Sequence, residues 1–287
     1  MTIEAKLIDG KAIAQSIRDE VKAGVDAIVA AGRRPPSLTV VLVGKDPASQ
    51  VYVNSKKKAC AALGFTSGEH LLDETVSEAV LAELINKLNH DPGVDGILVQ
   101  LPLPKHIREQ VILEKIDPMK DVDGFHPVNV GRLVANAPAL RPCTPAGCIE
   151  MLKRAGVDLN GANAVVLGRS NIVGKPVATL LLHEHCTVTI GHSRTRHLRD
   201  IVKRADVIVA AIGKPKFVTA DMVKPGAAVI DVGINRLADG KIVGDVDFEE
   251  VRKVAGWITP VPGGVGPMTI AMLMYNTLKA YRMRMGE

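Results

Sequence analysis

The chain of 287 residues is poor in aromatics, with one Trp, three Tyr and four Phe, or 3% in all. Nothing in it interleaves rings with a basic stripe, which argues against a nucleic-acid-binding surface. The four cysteines, Cys60, Cys143, Cys148 and Cys186, form no CxxC pair. They lie far apart in a chain long enough to bury its own cores, so reduced, buried thiols are expected rather than staples. No apolar run reaches the roughly 18 residues a membrane span needs. The opening MTIEAKLIDGKAIAQ has no apolar stretch behind a basic start, so no leader is read there, and a cytoplasmic location is expected by elimination. GxxxxGK[ST] and GxSxG are both absent, which excludes a P-loop ATPase and argues against an α/β-hydrolase elbow. His183 and His185 are not at i, i+4 spacing. No metal site is expected.

What remains is an ordinary globular balance, 47% hydrophobic and 23% charged, with a net charge of +5. The length suggests two domains. Residues 12–31 carry an amphipathic stripe, and SLTVVLV at 37–43 reads as a buried parallel strand. Asp46 and Pro47 then supply a cap and a first helical residue, and Gly64 supplies the stop. A strand over 65–72, a helix over 77–89 and a strand over 94–100 continue the alternation. The stretch 117–145 is rich in Pro and Gly and reads as irregular, a hinge or cleft lining. Pro145 opens a helix, and the alternation restarts with a strand over 162–167. Strands over 187–190, 207–211 and 227–231 follow, and a helix over 267–283 closes the chain. The fold class is α/β, with two domains built on parallel sheets.

The strand over 162–167 runs into a turn over 168–176 that carries Gly168, Arg169, Ser170 and Gly174, and a helix follows to about His183. Strand, glycine turn and helix together aim backbone N–H groups at a pyrophosphate. The spacing is not GxGxxG, so a plain βα turn stays open as the alternative. The next strand ends in His192, Ser193, Arg194, Thr195 and Arg196, without the acid that would hold a ribose 2′-hydroxyl. A hydroxyl and two guanidinium groups suit a 2′-phosphate, with Arg169 a further candidate. NADP is therefore expected over NAD, unless Arg194 and Arg196 are simply solvated.

On the helix from Pro47, Lys56 lies about 40° from Tyr52, with Ala59 and Leu63 about 20° to either side of Tyr52. Lys57 and Lys58 point away. Lys56 thus shares a mainly apolar face with Tyr52. Either it snorkels to water, or it is partly desolvated with a lowered pKa, able to act as acid or base.

Six segments now stand in order along the chain: YVNSK at 52–56, VQLPLP at 99–104, KDVDGF at 120–125, PCTP at 142–145, GRS through VGKP at 168–176, and PGGVGPMT at 262–269. Together they closely resemble the bifunctional methylenetetrahydrofolate dehydrogenase/methenyltetrahydrofolate cyclohydrolase family. The resemblance implies an N-terminal α/β catalytic, folate-binding domain over 1–140, with the terminal helix 268–287 packing back on it. It implies a Rossmann-like NADP domain over 141–267 and a cleft between the two. Hydride would pass from 5,10-methylenetetrahydrofolate to NADP, and the methenyl product would be hydrolysed to 10-formyltetrahydrofolate. Lys56 matches the catalytic lysine, Tyr52 the tyrosine against the folate, Gln100 the glutamine that tunes the lysine, and Asp123 the pterin-binding carboxylate. Val53, Asn54, Ser55, Val99, Leu101, Pro262, Gly263 and Gly264 join the expected folate contacts. Gly168, Arg169, Ser170, Ser193 and Ile234 match cofactor contacts, and Arg194 and Thr144 are placed with them. The resemblance also implies a homodimer.

From the residues alone, Asp123 could instead cap a turn in its Gly-containing loop. A different NADP dehydrogenase of the amino-acid or shikimate type gives no reason for VQLPLP or PGGVGP. A non-catalytic dinucleotide-binding module gives none for Tyr52, Lys56, Gln100 and Asp123 together.

Overall fold

The computed structural model describes residues 4–287, Ala48 by its backbone only. The reading of the N-terminus as leaderless falls partly on residues 1–3, which lie outside the described residues. Contacts divide the chain into two compact units: Ser16–Cys143 with Ile270–Glu287, and Thr144–Thr269 with the described residues through Gln15. The second unit's claim on the N-terminus has a concrete cause. Lys6–Leu7 pairs in parallel with Trp257–Ile258 and so extends that unit's sheet.

The unit holding residues 16–143 is built on a three-stranded parallel sheet, in the order Thr66–Leu72, Ser37–Val43, Gly96–Val99. Ser37–Val43 is buried at every position, as its unbroken apolar run requires of a central parallel strand. Val41, Ile97 and Val99 pack with Leu81, Ile85 and Leu88 of the helix Glu78–His90. Each such side chain contributes about 1.5–3 kcal/mol by leaving water. The helix Pro47–Leu63 begins and ends where its punctuation says. Asp46 accepts from the Ser49 amide at 2.8 Å, Pro47 opens the first turn, and Gly64 closes it at φ +77°. An isolated parallel bridge from Ile97 to Asp121 lays the segment around Asp121 against the strand Gly96–Val99.

The other unit carries a six-stranded, all-parallel sheet. Its order is Lys6–Leu7, Trp257–Ile258, Ala228–Asp231, Val207–Ala210, Asn163–Leu167, Thr187–Gly191. Strand order reverses about Asn163–Leu167, whose sequence neighbour Thr187–Gly191 lies on one side and Val207–Ala210 on the other. Ligands of doubly wound sheets bind at the carboxyl ends of strands at such a switch point. Val165, Leu167, Ile208, Val229 and Ile258 form this unit's own core.

Two readings need correcting. The stretch 117–145 is not irregular throughout: Pro127–Val134 is a helix, capped by His126, whose Nδ1 accepts from the Val128 amide at 3.1 Å. Pro127 is its first residue, a position where a proline initiates a helix. The next helix runs over Cys143–Arg154 and starts two residues before Pro145. The four cysteines are buried. Among the described residues no helix is long and apolar enough to cross a membrane, and no cluster of His, Cys, Asp or Glu is arranged to hold a metal.

Candidate active site

Lys56 sits deeper than the helical projection indicated. The buried residues of its helix are Ser49, Val53, Cys60 and Leu63. Their stripe is centred about 60° round from Tyr52, so Lys56, at about 40°, lies within it. Tyr52 is at the rim, 48% exposed. Lys57 and Lys58 are exposed, and Lys57 pairs with Glu69 at 3.2 Å. Lys56 does not reach for an acid: its Nζ donates to Gln100 Oε1 at 2.8 Å. Gln100 follows the strand Gly96–Val99 directly, and its Nε2 donates to the Leu101 carbonyl at 2.7 Å. That second bond fixes which end of the amide faces the lysine. Burial holds the Lys56 pKa below its ordinary value, partly offset by the nearby Asp123 carboxylate.

The two acids of the Asp121–Asp123 pair divide the roles left open for them. Asp121 is the loop organiser, accepting from the amides of Phe125 at 3.3 Å and His126 at 2.8 Å and from Asn129 Nδ2 at 2.9 Å. Asp123 accepts no hydrogen bond among the described residues. Burial pushes its pKa up to about 6, against the pull of Lys56. A desolvated carboxylate without a donor is suited to a ligand that brings donors.

Two neighbours were missed from sequence. Cys143 lies close enough to Lys56 and Asp123 to interact with both, and burial keeps its thiol protonated. Asn276, on the terminal helix Val265–Met285, donates to the carbonyls of Val122 and Arg141, both at 2.8 Å. It thereby clamps the residue before Asp123. A lone Asn within an apolar helical run was the available signal.

In the other unit, Gly168 has φ +120°, and a Cβ there would stand 2.2 Å from the Ala211 carbonyl oxygen. Only glycine fits that approach. The helix Gly174–His183 starts against this turn, but its first amides are not open. Ser170 Oγ accepts from the amides of Val173 at 3.1 Å and Gly174 at 3.2 Å. The amides of residues 169–172 donate to no protein acceptor among the described residues, so the open donors lie in the turn. Ser193, Arg194 and Arg196 are exposed. No carboxylate pairs with Arg169, Arg194 or Arg196 among the described residues. Ile234 is 58% exposed, beyond the strand Ala228–Asp231. Thr144 shares a hydroxyl–hydroxyl bond with Thr269 at 2.9 Å. A glycine cradle, free amides and unpaired guanidinium groups fit a dinucleotide.

The structure therefore brings Lys56, Gln100 and Asp123 together in one unit, with Val53, Asn54, Ser55, Val99 and Leu101 on the same helix and strand end. Pro262, Gly263 and Gly264 belong to the other unit, where a Cβ on Gly10 would strike the Gly264 carbonyl at 1.9 Å. His126 and His192 serve as local caps. His192 Nδ1 accepts from the Arg194 amide at 3.1 Å.

Comparison with known proteins decides what this combination is. Residues 8–123 match the catalytic domain of tetrahydrofolate dehydrogenase/cyclohydrolase, and residues 142–285 match its NAD(P)-binding domain. The chain belongs to the tetrahydrofolate dehydrogenase/cyclohydrolase family. The bifunctional protein FolD of Acetivibrio thermocellus is 56% identical over 282 residues, covering 98% of this chain and 99% of that one. The bifunctional FolD methylenetetrahydrofolate dehydrogenase/cyclohydrolase of Campylobacter jejuni superposes with a TM-score of 0.95 at 51% identity, over 98% of this chain and 99% of that one. The Trypanosoma brucei family member, solved with NADP and an inhibitor, gives 0.94 at 43% identity, over 99% of each chain. Family membership makes this chain a two-step folate enzyme with a nicotinamide cofactor.

Proposed function

We propose that this chain oxidises 5,10-methylenetetrahydrofolate with NADP and hydrolyses the methenyl product to 10-formyltetrahydrofolate, with Lys56 as the proton-transfer residue of the second step. The observation that carries this is the Lys56–Gln100 bond of 2.8 Å on a buried helix face. A carboxylate partner would hold the lysine as ammonium. An amide oxygen accepts one N–H and leaves the neutral amine's lone pair to be aimed elsewhere.

Water adds to the methenyl carbon as Lys56 takes one of its protons. The ammonium then returns that proton to N5 as the carbon–N5 bond breaks. The adduct's hydroxyl proton leaves to solvent as the formyl C=O forms on N10. The cationic substrate becomes a neutral product plus one released proton, so atoms and charge balance. Asp123 accepts the pterin's ring N–H and amino donors, and Tyr52 offers its ring to the folate. Val53, Asn54, Ser55, Val99, Leu101 and the Pro262–Gly264 backbone complete the folate contacts.

When bound, the cofactor supplies the oxidant that removes hydride from the methylene carbon. The amides of residues 169–172 hold its pyrophosphate, and Gly168 admits it. Arg169, Ser193 and Arg194 take the 2′-phosphate, while Thr144 and Ile234 line the remaining contacts. We take residues 1–140 with the terminal helix 268–287 to serve the folate, and residues 141–267 to serve the cofactor. We take the enzyme to be a cytoplasmic homodimer that binds no nucleic acid. Light scattering then returns twice the 30.6 kDa of one chain.

One assay tests the whole reading: methylenetetrahydrofolate and NADP are supplied, and NADPH and methenyl absorbance are followed. Turnover of both steps is expected. Folded protein with no turnover overturns it.

A further inference from the structure

The dinucleotide unit contains two buried carboxylates outside every motif discussed so far. Asp231 ends the strand Ala228–Asp231, and Asp245 follows the short strand Ile242–Val243. Neither has a basic partner among the described residues, yet Asp245 is fully buried. Its Oδ2 accepts from the amides of Ile212 at 2.7 Å and Gly213 at 2.9 Å. Its Oδ1 accepts from the Lys214 amide and from Asn235 Nδ2, both at 2.9 Å. These donors come from two loops, one after the strand Val207–Ala210 and one after Ala228–Asp231. Asp231 locks the backbone that presents Asp245, accepting from the amides of Gly233, Asp245 and Val246, each at 2.9 Å. The packing leaves no slack, since a Cβ on Gly233 would stand 2.3 Å from Asp245 Oδ1.

A doubly wound sheet lays one mononucleotide half over the strands on one side of its switch point and the other half over the strands beyond it. In this unit the turn at Gly168 and the arginines after Gly191 take the adenosine side. The nicotinamide side falls at the ends of Val207–Ala210 and Ala228–Asp231. Those are the two loops that Asp245 joins. The first abuts Gly168 through Ala211, and the second carries Ile234 beside Asn235.

We propose that Asp245 is the positioning residue for the nicotinamide half of the cofactor. It touches no ligand. It sets the spacing of the two loops through charge-assisted N–H···O bonds, the short and strong kind. The inference rests on the NADP reading of this unit.

Asp245→Asn keeps the shape but turns an NH2 toward donors, so at least one loop is released. The readouts are Kd for NADP and for 2′,5′-ADP by calorimetry, dehydrogenase kcat, and cyclohydrolase kcat on supplied methenyltetrahydrofolate. We expect 2′,5′-ADP affinity and cyclohydrolase kcat within twofold of wild type, NADP Kd raised, and dehydrogenase kcat down at least tenfold. Dehydrogenase kcat within twofold of wild type overturns the proposal. So does loss of 2′,5′-ADP affinity in parallel with NADP, because Asp245 would then hold the whole unit. Should Asp245→Asn not fold, Asn235→Ala decides, because it removes only the side-chain tie to the second loop. A dehydrogenase kcat lowered at least threefold with 2′,5′-ADP affinity kept supports the proposal, and an unchanged kcat overturns it. Wild-type protein that binds neither nucleotide would sink the cofactor reading itself, a separate outcome.

Discussion

Lys56 donates its hydrogen bond to an amide oxygen, that of Gln100, although the Asp123 carboxylate lies close enough to interact with it. That choice of partner keeps the amine's basicity within useful range. Burial removes the solvation that would favour ammonium, and the amide restores only part of it.

Gln100→Glu puts a carboxylate where the amide oxygen stands. It favours the ammonium, so the Lys56 pKa rises. Hydrolysis needs the neutral amine, so cyclohydrolase kcat rises with pH through that pKa. The expected outcome is a profile moved to higher pH by about one unit or more, with activity at pH 7 reduced. A profile that does not move removes Gln100 from the tuning role.

Asp123 gives the opposite sign. Its pKa stands at about 6, above the ordinary carboxylate value, so its charge is lost already as pH falls through 6. Folate affinity in the wild type should weaken over that interval, and Asp123→Asn should bind weakly at all pH values. Ionising Asp123 in the folded protein is also unfavourable, so the stability it has when protonated is lost as pH rises from about 4 through 6. Asp123→Asn should therefore be the more stable protein above pH 6, as urea unfolding at pH 5 and pH 8 will show.

Gly168→Ala forces a Cβ against the Ala211 carbonyl from a backbone φ of +120°. Strain of about 1–3 kcal/mol or a displaced turn follows. NADP affinity should fall by tenfold or more, while hydrolysis of supplied methenyltetrahydrofolate persists. Calorimetry with NADP reads the first and absorbance the second.

Far from the chemistry, Asp95 is buried between two arginines. It accepts from Arg34 at 2.6 and 2.9 Å, from Arg284 at 2.5 Å and from the Ser37 amide at 2.9 Å. Removing one partner of such a network leaves charge and amide uncompensated, at a cost of about 3–5 kcal/mol. Asp95→Ala should lower the urea midpoint strongly without changing the pH profile of hydrolysis.

These elements were unequally legible in the sequence. The helix Pro47–Leu63 could be bounded to the residue, because cap, proline and glycine each act locally. The two-residue strands Lys6–Leu7 and Trp257–Ile258 could not, since pairing across the chain, not periodicity, makes them strands. Lys56 was visible as an inward lysine, but the centre of its stripe was set by Val53 and Cys60, not Tyr52. Which acid of the Asp121–Asp123 pair stays free depends on loop geometry that no spacing encodes. Asp245 gave no signal, because its donors come from residues 10 to 33 positions away.

The central claim is that Lys56 moves the proton in hydrolysis. Its most direct test is the cyclohydrolase kcat of Lys56→Met on supplied methenyltetrahydrofolate, with the NADP Kd measured on the same preparation. General base catalysis is worth about 10²- to 10⁴-fold, so kcat should fall at least a hundredfold while NADP Kd stays within twofold. A variant that binds NADP normally and keeps more than about a tenth of wild-type hydrolysis, a loss smaller than a general base supplies, would contradict the account.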